Sequence, residues 1–361
     1  MTLSEGANVL IKRKLGACLA GAVLLAAFTL TGCGGSGDGA AQDNQPADSE
    51  EMIHIVFCHN QPVGSPEDIG AQAMVEKLYD KLGDRVSIEL YPAQQMYDMD
   101  TQIEKLQLGE IQLTMQPTAA VASVVDDIKV MDLPYLMPAD ETQIFDVLDG
   151  ALGQEALDRL EQGNLKGLGF WYSGYKLFTT SGKEIHSPAD FQGMTMRVLN
   201  SPVLKAQYEN WGAQPVPTTY TELYGALQNG TVEGQENPVQ TIVLNNYQDV
   251  QSQMVQAWHS PMHYVLMTNP DWFHSLPANV QEAIAEAEAY GREKAREAYA
   301  EQEAGYIEIL ENAEGVHYYE LTPEEIDVFK AGVQPVYQSQ TAGSQWQIDY
   351  VKRLQEAFAE E

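Results

Sequence analysis

"EMIHIVFCHN" (residues 51–60) precedes "SPEDIGAQAMVEKLYDKLGD" (65–84) and "RVSIELYP" (85–92) in the sequence. The first and last of these segments alternate apolar and polar residues, as half-buried β-strands do. The middle segment has helical apolar spacing, and Ser65 and Pro66 are residue types that favour an N-cap and a first helical turn. A strand, a helix and a second strand in this order predict an α/β domain with a largely parallel sheet.

The rest of the chain continues this alternation. The helical segment "DTQIEKLQLGE" (100–110) and the strand "IQLTMQ" (111–116) complete a first α/β unit, and a helix is predicted at about 140–163. The helical run 277–312 is long enough to bridge this unit and a second one. The second unit is predicted from the strand "LKGLGFWYS" (165–173), the turn "SPADFQG" (187–193), the strand "TMRVLNS" (195–201), the helix "PVLKAQYENWG" (202–212), the strand "AQPVP" (213–217) and the helix "YTELYGALQNG" (220–230).

The amino terminus has the build of an export signal. Basic residues 12–14 precede the apolar run 15–30, and "LTGC" (30–33) resembles a bacterial lipobox. We therefore predict a lipoprotein signal peptide over 1–32 and acylation of Cys33, with an ordinary signal peptide or a short anchor as the alternatives. Residues 33–51 are polar and Gly-rich, which predicts a flexible tether with a reach on the order of 20–25 Å.

Composition limits the functions that the chain can have. It carries 20 basic and 52 acidic residues, for a formal net charge of -32, which argues against nucleic acid or anionic lipid as a partner. Of the three cysteines, Cys18 leaves with the signal and Cys33 is the predicted lipid site, so Cys58 has no partner for an intramolecular disulfide. Stability must therefore come from burial in hydrophobic cores.

The sequence offers little support for catalysis. It contains no GxSxG, P-loop, HExxH or CxxC motif, and its seven histidines form no set with metal-ligand spacing. The many carboxylates of so acidic a chain produce accidental pairs, so a glycosidase-type dyad cannot be argued from them. We expect that the protein is not an enzyme and that it needs neither a cofactor nor a metal.

Arg197 is the conspicuous residue of the second unit. The only other lysine or arginine between Glu184 and Tyr290 is Lys205, and Arg197 lies near the end of a predicted strand, where ligand sites of α/β proteins tend to form. An arginine fork matches a carboxylate with two charge-assisted hydrogen bonds. Forty residues on, "GTVEGQENP" (230–238) places Asn237 where its amide could donate to the same anion. The alternative is a structural ion pair of Arg197 with Glu222 or Glu236.

Four motifs together resemble one family. They are "DLPYL" (132–136), "MRVLNSP" (196–202), "LYGALQNGTVEGQENP" (223–238) and "DWFHSLP" (271–277). They are similar, in order and spacing, to the solute-binding subunit of tripartite ATP-independent periplasmic (TRAP) transporters, DctP type, from about residue 52 to beyond 320. The resemblance implies an α/β, two-domain solute-binding protein with a ligand cleft between the domains and a long helix crossing both. It places domain I at 52–174 plus about 263–300, and domain II at 175–262 plus about 301–361.

The resemblance also implies roles for individual residues. Arg197 would form the bidentate clamp on a ligand carboxylate, and Asn237 would donate to the same group. The family often has a second arginine in the motif G-F-R-x-F-T-N, where "GYKLFTTS" (174–181) has Lys176. A lysine keeps the charge but loses the planar fork, so its contact could run through water.

Further residues are carried over from the same resemblance. Asn60, at the end of the first strand, matches a ligand-facing position near the domain junction, and Tyr220 matches an aromatic that packs against the ligand, with a core role as the alternative. Glu236 and His259 resemble members of a buried polar network beneath the site, although His259 could equally be an ordinary core histidine. Asn200 is the weakest member of the set.

Two loops bear on the nature of the ligand. In sugar-acid binders of the family, carboxylates near 98–100 and 116–118 reach ligand hydroxyls, whereas these segments here read "DMD" and "QPT". Met99 and Pro117 near the expected positions favour a smaller or more apolar acid, of C4-dicarboxylate type, over a polyhydroxylated sugar acid.

The sequence thus predicts an exported, lipid-anchored protein, periplasmic or on the cell surface. It would capture a small organic acid by domain closure and deliver it, as a monomer, to TRAP membrane permease subunits. The competing classes are a binding lipoprotein of an ATP-dependent uptake system, a sensor-coupled carboxylate-binding protein and an exported enzyme that acts on a carboxylate.

Overall fold

The computed structural model describes residues 52–359, so the predicted signal peptide (1–32), tether (33–51) and lipid site Cys33 lie outside the described residues. The strands are β1 (Ile53–His59), β2 (Val86–Tyr91), β3 (Leu113–Pro117), β4 (Lys166–Thr180), β5 (Thr195–Val198), β6 (Gln214–Pro217), β7 (Gly234–Pro238), β8 (Gln253–Thr268) and β9 (His317–Glu320). The helices are α1 (Pro66–Leu82), α2 (Met99–Gln107), α3 (Thr118–Val121), α4 (Glu141–Leu148), α5 (Ala151–Asp158), α6 (Pro202–Asn210), α7 (Leu223–Gln228), α8 (Val239–Leu244), α9 (Pro270–Ser275), α10 (Ala278–Asn312), α11 (Pro323–Ala331), α12 (Gln334–Thr341) and α13 (Gln345–Ala357).

The opening β1-α1-β2 unit forms as the sequence predicts. Strand β1 pairs in parallel with β2 on one side and with β3 on the other. The Ser65 side chain caps α1 by accepting a hydrogen bond of 3.2 Å from the backbone N–H of Asp68. The apolar face of β1, including Ile55 and Phe57, is buried against α1 and α10. This packing fixes the position of the carboxyl end of β1.

The nine strands within residues 52–359 belong to one mixed sheet. Its order is β2-β1-β3-β8-β4-β7-β5-β6, and β9 pairs with one end of β8. The predicted parallel pairing is right for β1 with β2 and β3, and for β5 with β6 and β7. It is wrong for the centre of the sheet, where β3–β8, β8–β4 and β4–β7 pair antiparallel. The reason is that β4 runs from the first half of the molecule to the second and opposes β7 there, whereas β8 returns to the first half and opposes both β4 and β3.

Strands β4 and β8 connect the two halves of the sheet. The carboxyl-terminal part of β8 pairs with β3 and the start of β4, whereas its amino-terminal part pairs with the end of β4 and with β9. Both strands are irregular at the same level: Gly174 in β4 has φ +94°, and Trp258 in β8 has φ +51°. The ring of Trp258 meets Tyr175 edge-on at 5.2 Å. Such bulges bend strands, and they mark the place where each strand passes from one half to the other.

Helix α10 crosses both halves, as its length predicts. Its 35 residues span about 50 Å at 1.5 Å per residue. The first part packs tightly on α1, where a Cβ on Gly291 would lie 2.7 Å from the carbonyl oxygen of Gly70. Further along, α10 contacts β4, α8 and β9. The helix therefore lies against elements of both halves.

The predicted helix at 140–163 differs from the observed structure. It is divided into α4, α5 and a 3₁₀ helix at Arg159–Gly163, because Gly150 interrupts it and becomes the N-cap of α5. Among residues 52–359, no helix has both the length and the apolarity needed to cross a bilayer.

Candidate functional site

A cleft lies beyond the carboxyl ends of the parallel strands of both halves. It contains one cavity of about 360 Å³ and a second of about 290 Å³, which share Gln94, Tyr220 and Thr221. The first half supplies residues that follow β1, β2 and β3, and the second half supplies residues that follow β5 and β6, as expected for a ligand site in an α/β protein. The first cavity is lined by Gln94, Asp98, Met99, Asp100, Ala120, Ser123, Leu199, Asn200, Pro217, Thr218, Thr219, Tyr220 and Thr221. The second is lined by Asn60, Pro62, Ala93, Gln94, Tyr220, Thr221, Tyr224, Asn245 and Tyr247.

The guanidinium of Arg197 is buried beside this cleft. Arg197 lines a narrow recess of about 10 Å³ together with Lys176 and Glu236, and Leu199 lines both this recess and the first cavity. Arg197 is 2% exposed, and its Nε donates a hydrogen bond of 3.0 Å to the carbonyl oxygen of Thr218, a residue that lines the first cavity. Its Nη2 has no hydrogen-bond partner, and within residues 52–359 no carboxylate forms an ion pair with it. Burial lowers the pKa of Arg197, and nearby Tyr247 and Tyr220 act in the opposite direction. Because an arginine side chain remains charged in proteins, Arg197 is a buried cation with no carboxylate in contact with it.

Neither of the two carboxylates that could have neutralised Arg197 does so. Glu222 accepts a hydrogen bond of 2.6 Å from Thr219 at the start of α7. Glu236 forms an ion pair of 2.5 Å with Lys176. The structural ion pair that the sequence left open is therefore absent from the described part of the chain.

The sheet register brings Asn237 to the same face as Arg197. Met196 of β5 pairs with Gly234 of β7 in parallel, so Arg197 and Asn237 both lie on the face opposite to Glu236. Asn237 is 3% exposed, and its Nδ2 donates to Oε1 of Gln235. The same amide nitrogen carries a second proton, which a ligand could accept.

Lys176 belongs to a different cluster. Its ammonium pairs with Glu236, and this carboxylate also accepts hydrogen bonds from Tyr208 at 2.8 Å and from Gln207 at 3.2 Å. The Nε2 of His259 lies 3.0 Å from the same carboxylate, and the His259 ring stacks on a phenylalanine. The predicted buried network of Glu236 and His259 is thus present, and it includes Lys176. Lys176 lies on the opposite face of the sheet from Asn237, but it lines the same narrow recess as Arg197.

Burial and neighbouring charges shift the pKa values of the titratable groups in this network. Burial opposes ionisation of Glu236, but Lys176 and the hydrogen bond from His259 outweigh it and hold its pKa well below the usual range. Burial lowers the pKa of His259, which favours the neutral ring despite its carboxylate partner. Nearby Asp132 is also buried, and desolvation raises its pKa to about 6, against the opposing effect of Lys176. The Lys176–Glu236 pair therefore contributes no net charge to the cleft.

Three other predicted residues line the cavities. Tyr220 faces both, and its hydroxyl accepts a hydrogen bond of 2.7 Å from Nδ2 of Asn245. Asn60 lines the second cavity, where its Oδ1 is buried without a donor. Asn200 lines the first cavity, but it is exposed and accepts a hydrogen bond of 2.7 Å from Lys205.

Sequence reasoning missed several residues of the cleft. Thr218, Thr219 and Thr221 directly follow β6, and the rule that ligands bind beyond strand ends could have identified them. Met99 lines the first cavity as expected, but the carboxylates of Asp98 and Asp100 flank it there. The first cavity is consequently more acidic than the sequence led us to expect. Within residues 52–359, no group of three or more His, Cys, Asp or Glu is placed to hold a metal ion.

Comparison with known proteins agrees with the geometry of this cleft. The model of the family described as bacterial extracellular solute-binding protein, family 7 (DctP) matches residues 57–344. The chain belongs to this family. Membership confirms the predicted TRAP solute-binding type, and it confirms that the protein is a transport component and not an enzyme, because the DctP family is a family of transport solute-binding proteins.

Relatives of this DctP-family protein match it over most of their length. The C4-dicarboxylate-binding periplasmic protein DctP of Rhodobacter capsulatus is 31% identical over 289 residues, which cover 80% of this chain and 86% of the relative. The C4-dicarboxylate-binding protein DctB of Bacillus subtilis is 27% identical over 296 residues, which cover 82% and 84%.

Solved structures have the same fold. A TRAP periplasmic solute-binding protein from Desulfovibrio salexigens, with bound orotic acid, superposes with a TM-score of 0.81 at 25% identity and covers 85% of this chain and 99% of its own. The sugar acid binding protein DctPAm from Advenella mimigardefordensis, in complex with galactonate, superposes with a TM-score of 0.80 at 26% identity, with coverage of 86% and 98%. These structures confirm the predicted two-domain α/β solute-binding fold.

Proposed function

We propose that this DctP-family protein captures an organic carboxylate through Arg197 and Asn237 and delivers it to TRAP permease subunits. The observation that carries the proposal is the buried guanidinium of Arg197, whose Nη2 has no partner in a narrow recess that adjoins the cleft. A ligand carboxylate would accept from this nitrogen and from Nδ2 of Asn237, and Tyr220 would pack against the ligand. Lys176, Glu236 and His259 would support the site from the other face of the sheet, and Asn60 and Asn200 would line its two ends.

Capture would be coupled to closure of the cleft. Charge-assisted hydrogen bonds contribute roughly 1.5–3 kcal/mol each, and more when water is excluded. Two or three such bonds are enough to shift a two-state equilibrium from mostly open to mostly closed. The domain division at 174/175 and 262/263 is part of this proposal, since it lies beside the irregular positions Gly174 and Trp258.

Substitution of Arg197 tests the proposed clamp. We expect Arg197→Ala to abolish the rise in melting temperature that the best acid of an organic-acid panel produces, because the carboxylate loses the unpaired buried cation that the described structure offers it. Arg197→Lys should weaken the rise strongly, since lysine keeps the charge without the fork. Thermal-shift measurements followed by calorimetry provide the readout, with Glu76→Gln on the exposed face of α1 as a control for folding. Unchanged affinity in both Arg197 variants would refute the clamp.

The lipid anchor is a separate part of the proposal. We propose that signal cleavage leaves Cys33 as an acylated amino terminus, followed by the tether 33–51. Mass spectrometry of the mature protein should find a diacylglyceryl-modified amino-terminal cysteine, and Cys33→Ser should abolish the modification. A mature terminus at any other residue would overturn this part and leave the clamp unaffected.

A further inference from the structure

We infer that the ligand of this protein is a monocarboxylate whose far end is neutral or cationic, and that Asp98 and Asp100 select against a second carboxylate. This inference rests on the proposed function, because it concerns the same cleft. It departs from the C4-dicarboxylate type that the sequence led us to expect, and from the names of the two relatives compared above.

The lining of the cleft carries negative charge. Among the described residues that line its two cavities, Asp98 and Asp100 alone are charged, and both lie in the first cavity. Asp98 caps α2 by accepting a hydrogen bond of 2.8 Å from the backbone N–H of Thr101, which occupies one of its two carboxylate oxygens. Asp100 follows in the first turn of α2 and is exposed. The rest of the lining is apolar or offers hydroxyl and amide groups, from residues such as Ser123 and Thr219.

Lys176, which the sequence predicts as a second cation near the ligand, is already neutralised. Lys176 is 5% exposed and pairs with Glu236, whose pKa stays low because of Lys176 and His259. This pair lies on the opposite face of the sheet from Asn237, according to the register of β4 with β7. Lys176 does line the recess beside Arg197, but Glu236 neutralises it there, so a second carboxylate on the ligand would find no unpaired cation in Lys176.

Lys205 is the other basic group near the cleft. Its Nζ donates a hydrogen bond of 2.7 Å to Oδ1 of Asn200 at the rim of the first cavity. This contact holds the ammonium against Asn200, and Lys205 is not among the residues that line either cavity. Among residues 52–359, the cleft and its adjoining recess thus offer one unpaired buried cation, Arg197, and two exposed acids, Asp98 and Asp100.

These charges predict a penalty for dicarboxylates. When the cleft closes, a second carboxylate would lose its hydration without a compensating cation. It would also lie in the same cavity as two like charges, an arrangement that proteins use to reject unwanted partners. An amide or ammonium in the same position could instead donate hydrogen bonds to the carboxylates or to the threonine hydroxyls.

Matched ligand triplets test this inference on the full chain carrying Cys33→Ser, which removes the proposed acylation site. Each triplet keeps the carbon skeleton and changes only the far end: succinate, succinamate and γ-aminobutyrate; glutarate, glutaramate and δ-aminovalerate. We expect the monoamide or the amino acid to bind about tenfold or more tightly than the dicarboxylate, measured by calorimetry. Tighter binding of the dicarboxylate in either triplet would overturn the inference but leave carboxylate capture standing. Binding of none, also across a wider panel of organic acids, would overturn the proposed function and this inference with it.

A double variant identifies the residues responsible. Asp98→Asn with Asp100→Asn removes two charges at nearly constant size, and asparagine preserves the N-cap of α2. We expect the preference for the monoamide to shrink to within about threefold. The matched control is Glu76→Gln with Asp80→Asn, which removes two charges from the exposed face of α1, away from the cavity lining, and should leave the preference unchanged. An unchanged preference in the Asp98/Asp100 variant, or an equal loss in the control, would overturn the assignment.

Discussion

Glu67 illustrates how burial alters the chemistry of a single side chain. It lies in the first turn of α1, a position where the helix dipole usually favours a charged carboxylate. It is nevertheless fully buried, and neither oxygen accepts a hydrogen bond within the described structure. Desolvation raises the pKa of Glu67, although Ser173 on β4 and Gln240 on α8 lie near enough to temper the shift. This carboxyl group thus lies where α1, the crossing strand and α8 meet.

The raised pKa of Glu67 predicts a pH-dependent stability. The folded protein holds this proton more tightly than the unfolded chain, so the free energy of unfolding falls as pH rises above the ordinary carboxyl range. Glu67→Gln removes this dependence, because the amide is neutral at every pH. We expect the variant to be about 1–3 kcal/mol more stable than the parent near about pH 8, with the difference vanishing near about pH 4. Urea unfolding across this pH range measures it, and a pH-independent difference would contradict the explanation.

The state of Arg197 could be predicted from the sequence only in part. Its isolation from other basic residues and its place near a strand end are visible in the sequence. Whether Glu236 would neutralise it depends on the β4–β7 register, which instead presents Glu236 to Lys176. Cross-strand partners separated by 60 residues cannot be read from local patterns, and for that reason the ion-pair alternative stayed open.

At the scale of elements, helix α10 contains two glycines in contrasting surroundings. Gly291 lies where α10 meets α1, and an added Cβ would come within 2.7 Å of the carbonyl oxygen of Gly70 and 2.8 Å of Cβ of Met74. Gly305 lies near the other end of the helix, and nothing lies within 4 Å of an added Cβ. The first glycine permits close helix packing, whereas the second only weakens the helix.

The same substitution should therefore have opposite effects at these two sites. We expect Gly291→Ala to lower the free energy of unfolding by about 1–3 kcal/mol, because backbone atoms must move apart. Gly305→Ala should raise it by about 0.5–1 kcal/mol, because alanine loses less conformational entropy in a helix. Chemical denaturation of both variants provides the comparison. A change of the same sign at both positions would show that helix packing does not decide the outcome.

Elements with regular patterns were predictable, and the two crossing strands were not. The segments of β1, α1, β2 and α10 follow clear periodicities and capping rules. Strand β8 is buried on both faces over most of its length, so it shows no alternation, and it contains Pro261 beside a bulge. The predicted strand at 165–173 continues to Thr180 for the same reason. Long-range pairing of these strands, more than local propensity, determines their extent.

At the scale of the whole molecule, the main electrostatic feature is the excess of acidic over basic residues. The formal net charge of -32 is spread over a chain with only 20 basic residues, and several of these pair with carboxylates, as Arg292 and Arg296 do with Asp149. Most remaining carboxylates face solvent and repel one another. Such self-repulsion favours solubility at the expense of the compact state.

This repulsion predicts that salt stabilises the protein. We expect the melting temperature to rise by a few degrees between about 0.02 M and about 0.5 M KCl, because the screening length falls below the spacing of surface charges. The rise should shrink on acidification, as carboxylates become neutral. Thermal unfolding followed by circular dichroism measures both trends, and a lower melting temperature at high salt would instead mean that exposed ion pairs dominate.

The backbone passes between the two halves in β4, in β8 and in α10. Each half is therefore assembled from separate stretches of the gene, and no single fragment encodes either one. Recombination between homologous genes cannot exchange one half as a block, and a premature stop codon before α10 would leave both halves incomplete. The two halves that face each other across the cleft are therefore inherited together, as one genetic unit.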